Sequence, residues 1–121
     1  MYKAIAEAVD FIEKIKPVPV KAEHCEVVVA PTSTALAAAA QAAKGSKVAV
    51  SAQDMHSDKD GAHTGDVSWV MLVDAGCIHV IIGQSVRRHD HTETDEQVNR
   101  NLLPGGPLGP AFYDTSGGTS P

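Results

Sequence analysis

The sequence predicts an α/β protein built on a parallel sheet. Three short stretches are apolar and rich in β-branched residues, which is typical of strands covered on both faces. They alternate with segments of helical pattern in the order helix, strand, helix, strand, helix, strand, helix. Alternation at this spacing is typical of parallel strands joined by right-handed crossovers. Periodicity alone leaves two architectures open, an open doubly wound sheet and a segment of a barrel.

The first helix is predicted over residues 2–16. Isoleucine and valine recur there at three- and four-residue spacing, which places them in one apolar stripe. The stripe consists of Ile5, Val9, Ile12 and Ile15. Phe11 broadens this face, and Pro17 and Pro19 prevent the helix from continuing.

Two predicted strands flank an alanine-rich helix. The strands are residues 25–30 (CEVVVA) and 47–52 (KVAVSA), and the helix between them covers residues 35–44. Gly45 directly follows this helix and is its expected C-terminal stop. Three residues are candidates to cap its N-terminus: Thr32, Ser33 and Thr34.

A long polar segment separates the second strand from the third helix. Residues 53–66 (QDMHSDKDGAHTGD) form a loop whose length, in compact domains, indicates either function or disorder. The helix that follows is predicted over residues 67–75, with Ser68 as its cap and Gly76 at its end. Residues 77–82 (CIHVII) form the third strand.

The last predicted element is a helix over residues 92–101. Thr94 with Gln97 three residues later fits a capping box. Residues 102–121 are crowded with Gly and Pro and have no period of either kind, which indicates a disordered tail. The chain is therefore divided into a structured segment, residues 1–101, and this tail.

Several residues are candidates for the core. Cys25 and Cys77 each lie at the start of a predicted strand, and we expect both to be buried free thiols in a reducing compartment. Trp69 and the apolar run at residues 70–73 are most simply interpreted as core. Because three parallel strands cannot close a barrel, both sheet edges would be unpaired, and we expect a marginally stable chain that tends to associate.

The composition argues against several classes of function. The net charge is −5 and the isoelectric point is near 5.6, which does not suit a nucleic-acid or anionic-membrane surface. No apolar run approaches the roughly 20 residues of a membrane span, and no signal peptide is visible. No glycine-rich phosphate loop follows any strand. We expect a cytoplasmic protein with no cofactor, no nucleic-acid partner and no membrane partner.

The histidines suggest a metal site, which we disfavour. The possible ligands near the last helix are His89, His91, Glu93 and Asp95. His56 and His63 lie in the long loop. There is no His-Glu-x-x-His motif and no paired Cys motif, and side chains two residues apart on an extended loop point in different directions. Solvated loop histidines are the favoured interpretation, and we predict no metal site.

The end of the third strand carries the strongest signal for function. Gly83 ends the strand, and Gln84, Ser85, Arg87 and Arg88 follow at once. In parallel α/β folds, ligands bind in the loops at the carboxyl ends of strands. We therefore expect the functional site here, with Gln84 and Ser85 as its candidate catalytic residues. The two arginines either bind a phosphate or, as we favour, make structural ion pairs with Asp66 and Glu93.

The segment that follows the third strand, GQSVRR, resembles a signature of the triosephosphate isomerase family, Gly-His-Ser-Glu-Arg-Arg. Other stretches resemble the family in the same order along the chain. They are CEVVVAPT, AQDM, GAHTGDVS, MLVDAG and ETDEQVNR. The resemblance covers residues 1 to about 101, and this many ordered matches make it specific.

The resemblance implies a (β/α)8 barrel, which needs roughly 250 residues. A chain of 121 residues is therefore expected to form a partial barrel with three parallel strands and flanking helices. Family members are homodimers that interconvert glyceraldehyde 3-phosphate and dihydroxyacetone phosphate, a step of glycolysis and gluconeogenesis. They use a glutamate base and a neutral histidine as the electrophile.

The departures from the family pattern bear on catalysis. Gln84 stands where the family has its catalytic histidine, and Val86 stands where it has a glutamate. Met1 aligns with the methionine that follows the family's substrate-binding lysine, and Lys3 is not equivalent to that lysine. The general base lies in a C-terminal half with no counterpart here. We expect negligible isomerase activity from this chain alone.

The long loop also matches the family. In the family this loop docks beside the active site of the partner subunit, and the resemblance places Thr64 and Gly65 at its tip. Gln53, and Asp54 in place of an asparagine, match its base. Asp66 stands where the family has a glutamate, and an ion pair between Asp66 and Arg87 is expected. An alternative function follows, a non-catalytic interaction module that docks through this loop onto an isomerase subunit or a second copy.

Overall fold

The computed structural model describes residues 1–21 and 23–103, together with the backbone of residues 111–114. Its sheet has four parallel strands in the order β1-β2-β3-β4. The strands are β1 (Val27–Val29), β2 (Val48–Ala52), β3 (His79–Ile82) and β4 (Ala111–Asp114). Because sheet order follows chain order, the described sheet winds in one direction without a switch point, as a barrel segment does.

Helices precede, separate and follow the strands. They are α1 (Ile5–Ile15), α2 (Val18–Lys21), α3 (Leu36–Ala43), α4 (Trp69–Asp74), α5 (Ser85–Asp90) and α6 (Asp95–Leu102), with a 3₁₀ turn at Ser33–Ala35. The pattern predicts all but α2, α5 and the 3₁₀ turn. α1 ends before Pro17, whereas Pro19 is tolerated because it lies in the first turn of α2. Among the described residues, none of the helices has the length and apolar character to cross a membrane.

The fourth strand extends the three-strand prediction. β4 pairs with β3 along its whole length, so β4 rather than β3 is the sheet edge on that side. These four residues lie in the segment predicted to be a tail. Local pattern does not reveal them, because each residue of β4 pairs with a residue of β3 that lies 32 positions earlier in the chain, as His79 and Ala111 show. Residues 104–110 and 115–121 of that segment lie outside the described residues.

The core is centred on β2, whose five residues are all buried. α3 packs against this strand, and Leu72 of α4, which is 1% exposed, belongs to the same core cluster. Gly76 ends α4 with φ of +96°, and a Cβ added there would lie 2.8 Å from the Cβ of Ala40 on α3. A side chain at Gly76 would therefore be strained by its backbone and would also clash with α3.

Two of the core predictions need correction. Cys77 is buried, as expected, and burial raises the pKa of its thiol to about 11. Cys25 is exposed, because β1 begins later than predicted, at Val27. On α4, Met71 and Val73 are exposed, since only one side of this short helix faces the sheet.

The stripe on α1 is also only partly buried. Ile12 is fully buried against the alanine-rich helix α3, while Val9 and Ile15 are half-buried. Ile5 is 50% exposed, and Phe11 lies at the border of the contact. The amphipathic period therefore predicts the direction of the buried face but not its extent.

At two of three helix starts, the predicted capping residue makes the expected hydrogen bond. The Thr94 hydroxyl accepts a hydrogen bond from the amide of Gln97, whose side chain in turn accepts one from the amide of Thr94. Ser68 accepts from the amide of Met71 at the start of α4. At the 3₁₀ turn before α3, however, Thr32 is the N-cap residue without a capping hydrogen bond from its side chain.

Candidate active site at the carboxyl edge of the sheet

Gln84 lies where β3 gives way to α5. Gly83 leaves the strand with φ of +71°, and Gln84 is then the N-cap of α5. The side-chain oxygen of Gln84 accepts a hydrogen bond of 2.7 Å from the amide of Val86. This bond fixes the orientation of the side chain and leaves its NH₂ group as the donor available for a ligand. Ser85, the first residue of α5, is exposed.

Arg87 connects α5 to the loop that follows β2. Its Nη2 lies 2.7 Å from Oδ2 of Asp54, and its Nε lies 3.6 Å from Oε1 of Glu93. The Glu93 side chain is only 8% exposed. The contact with Glu93 is an ion pair but too long for a hydrogen bond, and Arg87 Nε and Glu93 Oε2 are buried without hydrogen-bond partners among the described residues.

The predicted ion pair between Asp66 and Arg87 is replaced by the pair between Asp54 and Arg87. Asp66 instead lies 3.8 Å from Nε2 of His56 and is half-exposed. Asp54 follows β2 by two residues, as Gln84 follows β3, so its carboxylate comes close to α5. An aspartate at position 66 has a shorter side chain than a glutamate would have, and this reduces its reach toward Arg87.

Asp54 has an altered proton affinity. Burial raises the pKa of its carboxyl above the usual value and outweighs the opposing effect of the Arg87 guanidinium. The negative charges of Glu93 and Asp66 raise this pKa further. The carboxylates of Asp54 and Glu93 therefore flank the Arg87 guanidinium at this edge of the sheet, and the three side chains form a compact charged cluster held partly out of water.

Arg88 has a structural role of a different kind. Its Nε donates to the carbonyl oxygen of Gly83, and its Nη1 lies 2.5 Å from Oδ1 of Asp95 at the start of α6. Asp95 is 90% exposed, so solvent screens this pair. Both arginines are thus engaged in ion pairs, but of the two expected partners only Glu93 is found, and Asp54 and Asp95 are the others. Arg88 links β3 to α6.

The long loop is ordered rather than disordered. At its base, Gln53 donates a hydrogen bond of 2.7 Å to the carbonyl oxygen of Ala30, just beyond β1. His56 pairs with Ser68 in a parallel bridge, which closes the loop next to α4. Thr64 and Gly65 are exposed at the tip. The loop therefore spans the carboxyl ends of β1 and β2 with its matched tip facing solvent.

A cavity of about 300 Å³ lies between this loop, α5 and α6. Its lining includes the charged cluster but neither Gln84 nor Ser85, so the candidate catalytic residues and the cavity are separate features. Residues missed by the sequence interpretation come from α6: Gln97, Arg100 and Asn101. Their spacing of three and four positions places them on one helical face, a signal that could have found them.

The histidines are arranged differently from the sequence proposal. His89 is exposed on α5, and His91 borders the cavity. Among the described residues, these two do not form a cluster of possible metal ligands with Glu93 and Asp95. A group of that kind lies instead in the long loop and consists of His56, Asp58 and His63.

The comparisons with known proteins agree on one family. The family model described as triosephosphate isomerase matches residues 1–103. The triosephosphate isomerase of Geotalea uraniireducens is 46% identical over 103 residues, which cover 85% of this chain and 41% of that protein. The triosephosphate isomerase of Solibacter usitatus is 49% identical over 98 residues, which cover 81% of this chain and 39% of that protein.

A solved structure gives the same result for the fold. The crystal structure of triosephosphate isomerase from Bartonella henselae superposes with a TM-score of 0.84 at 27% sequence identity. The match covers 94% of this chain and 47% of that one. The chain thus spans about two-fifths of the length of the curated relatives it matches.

Proposed function

The chain belongs to the triosephosphate isomerase family, and from this membership we propose that it forms part of an isomerase-type (β/α)8 barrel. The reaction proposed for the complete barrel is the interconversion of glyceraldehyde 3-phosphate and dihydroxyacetone phosphate. The support is the combination of family membership and a winding parallel sheet whose carboxyl edge carries polar and charged side chains. A homodimer and a cytoplasmic location remain predictions.

We further propose that these 121 residues by themselves do not catalyse the reaction. The observation that carries this proposal is Gln84, which occupies the position of the family's catalytic histidine. Its carbonyl oxygen is engaged with the amide of Val86, and its NH₂ group can donate a hydrogen bond but cannot transfer a proton between substrate oxygens. Loss of one acid–base group typically lowers the rate by about 10²–10⁴-fold.

The other family groups also lack counterparts among the residues of this chain. Lys3 has a positive φ of 68° ahead of α1, and its Nζ lies 5.2 Å from the centre of the Phe11 ring. This position supports the interpretation that Lys3 is a surface residue rather than the family's substrate-binding lysine. No matched residue supplies the general base.

An assay of isomerase activity tests this proposal. The chain is produced in a host that lacks its own isomerase, and the unaltered chain is compared with Gln84→His and Gln84→Ala. We expect all three to show background activity, because a restored imidazole still lacks a base and a phosphate-binding lysine. Turnover by the unaltered chain that falls in Gln84→Ala would overturn the proposal.

The second candidate function is docking onto an isomerase subunit through the loop at residues 53–66. The specific support is that the loop is closed by its own contacts while its tip is exposed. The backbone amide of His56 donates to the carbonyl oxygen of Val67 at 2.8 Å, and the backbone amide of Asp66 donates to the carbonyl oxygen of His63 at 3.0 Å. A loop ordered before binding loses less conformational entropy when a partner engages it.

Binding to a full-length isomerase subunit, measured by sedimentation or surface capture, tests the docking proposal. Thr64→Arg places a long charged side chain at the tip and should abolish binding. Ala37→Arg, on an exposed position of α3, is the matched control and should leave binding unchanged. Absence of binding by the unaltered chain, or equal loss in both variants, would contradict docking through this loop.

A further inference from the structure

We propose that the long loop binds one divalent transition-metal cation of the zinc type through His56, Asp58 and His63. One ligand atom from each of these side chains lies within 4.8 Å of the other two. The three side chains line the same cavity as Arg87 but take no part in its ion pairs, and Gln84 lies outside that cavity. Nothing in the isomerase reaction proposed above uses it.

The distances suit a shared cation. His63 Nε2 and Asp58 Oδ2 are 2.9 Å apart. Two ligand atoms of a tetrahedral zinc site, each about 2.0 Å from the metal, are about 3.3 Å apart. The two atoms therefore need to separate only slightly for a cation to replace the proton that they now share.

The second histidine is held next to this pair. The rings of His56 and His63 stack with centroids 3.9 Å apart and an interplanar angle of 28°. The carboxylate of Asp66 adds negative charge near this pair, since its Oδ2 lies 3.8 Å from His56 Nε2. The group of three thus contains two imidazoles and one carboxylate, and Asp66 lies beside it next to His56.

The backbone of the loop holds these groups in place. His56 is anchored to the residues that precede α4 by its bridge to Ser68. Gly61 has φ of +140°, and a Cβ at that position would lie 3.1 Å from the imidazole of His63. The loop can therefore approach the His63 ring closely only with glycine at this position, which places the ring against the backbone.

Binding also has a cost that limits the affinity. The amide of Asp58 donates to Nδ1 of His56 at 3.0 Å, so the neutral ring carries its proton on Nε2. A cation on Nε2 must displace that proton and break this hydrogen bond. The hydrogen bond between His63 and Asp58 is also lost. We therefore expect measurable but moderate affinity rather than the affinity of a closed structural zinc site.

The ligand types determine which cation is the right probe. Imidazole nitrogens suit zinc, nickel and copper, whereas magnesium and calcium prefer sites made of oxygen alone. Zinc binds tetrahedrally to nitrogen and oxygen ligands and undergoes no redox change. Zn²⁺ alone is thus the probe, and Mg²⁺ at the same concentration should produce no signal.

The test is isothermal titration of the full chain with Zn²⁺ in a Cys25→Ser background, because the exposed Cys25 thiol would compete for the metal. We expect one equivalent to bind. Changing a group that only supports a metal ligand already lowers affinity by about 10–100-fold, so His63→Gln, which removes a ligand, should weaken binding at least that much. His89→Gln removes an exposed histidine outside the site and is the matched control, with unchanged affinity expected.

A second variant tests the same site in case His63→Gln lowers Zn²⁺ affinity only by disturbing the loop. Asp58→Asn keeps the shape of an exposed side chain while removing its charge, and it should also weaken Zn²⁺ binding. Circular dichroism checks that each variant retains its helices. Equal binding by His63→Gln, Asp58→Asn and the unaltered chain would overturn the proposal, as would the absence of a binding signal in the unaltered chain.

Discussion

The buried strand β2 and the region just beyond its carboxyl end are held together by different forces. Along the strand, residues 48–52 are all buried and pack against α3, where the burial of apolar area supplies the stabilisation. Just beyond the strand, Asp54 enters a cluster of charges in which a few ion pairs must offset the cost of burial. The stability of the core therefore depends on how much apolar side-chain volume is buried. The stability of the carboxyl edge depends on which charged groups face each other.

The largest expected effect is in the core. Leu72→Ala removes a side chain that is 1% exposed and should lower the free energy of unfolding by about 2–5 kcal/mol, because the lost contacts leave a cavity. Met71→Ala, one residue away and 53% exposed, is the matched control, with a change within about 0.5 kcal/mol. Urea denaturation followed by circular dichroism measures both. Similar losses in the two variants would mean that α4 does not pack as described.

The next effect is on the chemistry of a core thiol. Burial raises the pKa of Cys77 from 9.0 to about 11. At pH 8 its thiolate fraction is therefore about 100-fold smaller than that of an ordinary thiol, and the reactive form appears only as the pH approaches 11. Iodoacetamide labelling followed by mass spectrometry should modify the exposed Cys25 first. Equal labelling rates at pH 8 would contradict the burial of Cys77.

A smaller effect is expected at the carboxyl edge. Arg87→Met should lower the free energy of unfolding by about 1–3 kcal/mol, because Asp54 and Glu93 would keep buried oxygens without a cation. Arg88→Met is the matched control and should cost about 0–1 kcal/mol, since Asp95 is largely solvated. Thermal denaturation of the two variants gives the comparison. A larger loss for Arg88→Met would reverse the roles assigned to the two arginines.

The core was more predictable than the edge because its signals are local. Three strands, the ends of α3 and α4, and the capping box of Thr94 and Gln97 follow from residue type and spacing within short windows. The partner of Arg87 does not, since the resemblance pointed to Asp66, whereas the path of the loop brings Asp54 to the guanidinium instead. The cluster of His56, Asp58 and His63 was missed for the same reason, because the loop folds back on itself.

The sequence by itself determined the α/β alternation, the family and the position of Gln84 after β3, because each depends on an ordered pattern of residues along the chain. Only the tertiary structure decided which apolar residues of α1 and α4 are covered, which carboxylate Arg87 binds and how β4 joins the sheet. These features depend on contacts between residues far apart along the chain. Such contacts are set by the packing of whole elements, which no short window of residues contains.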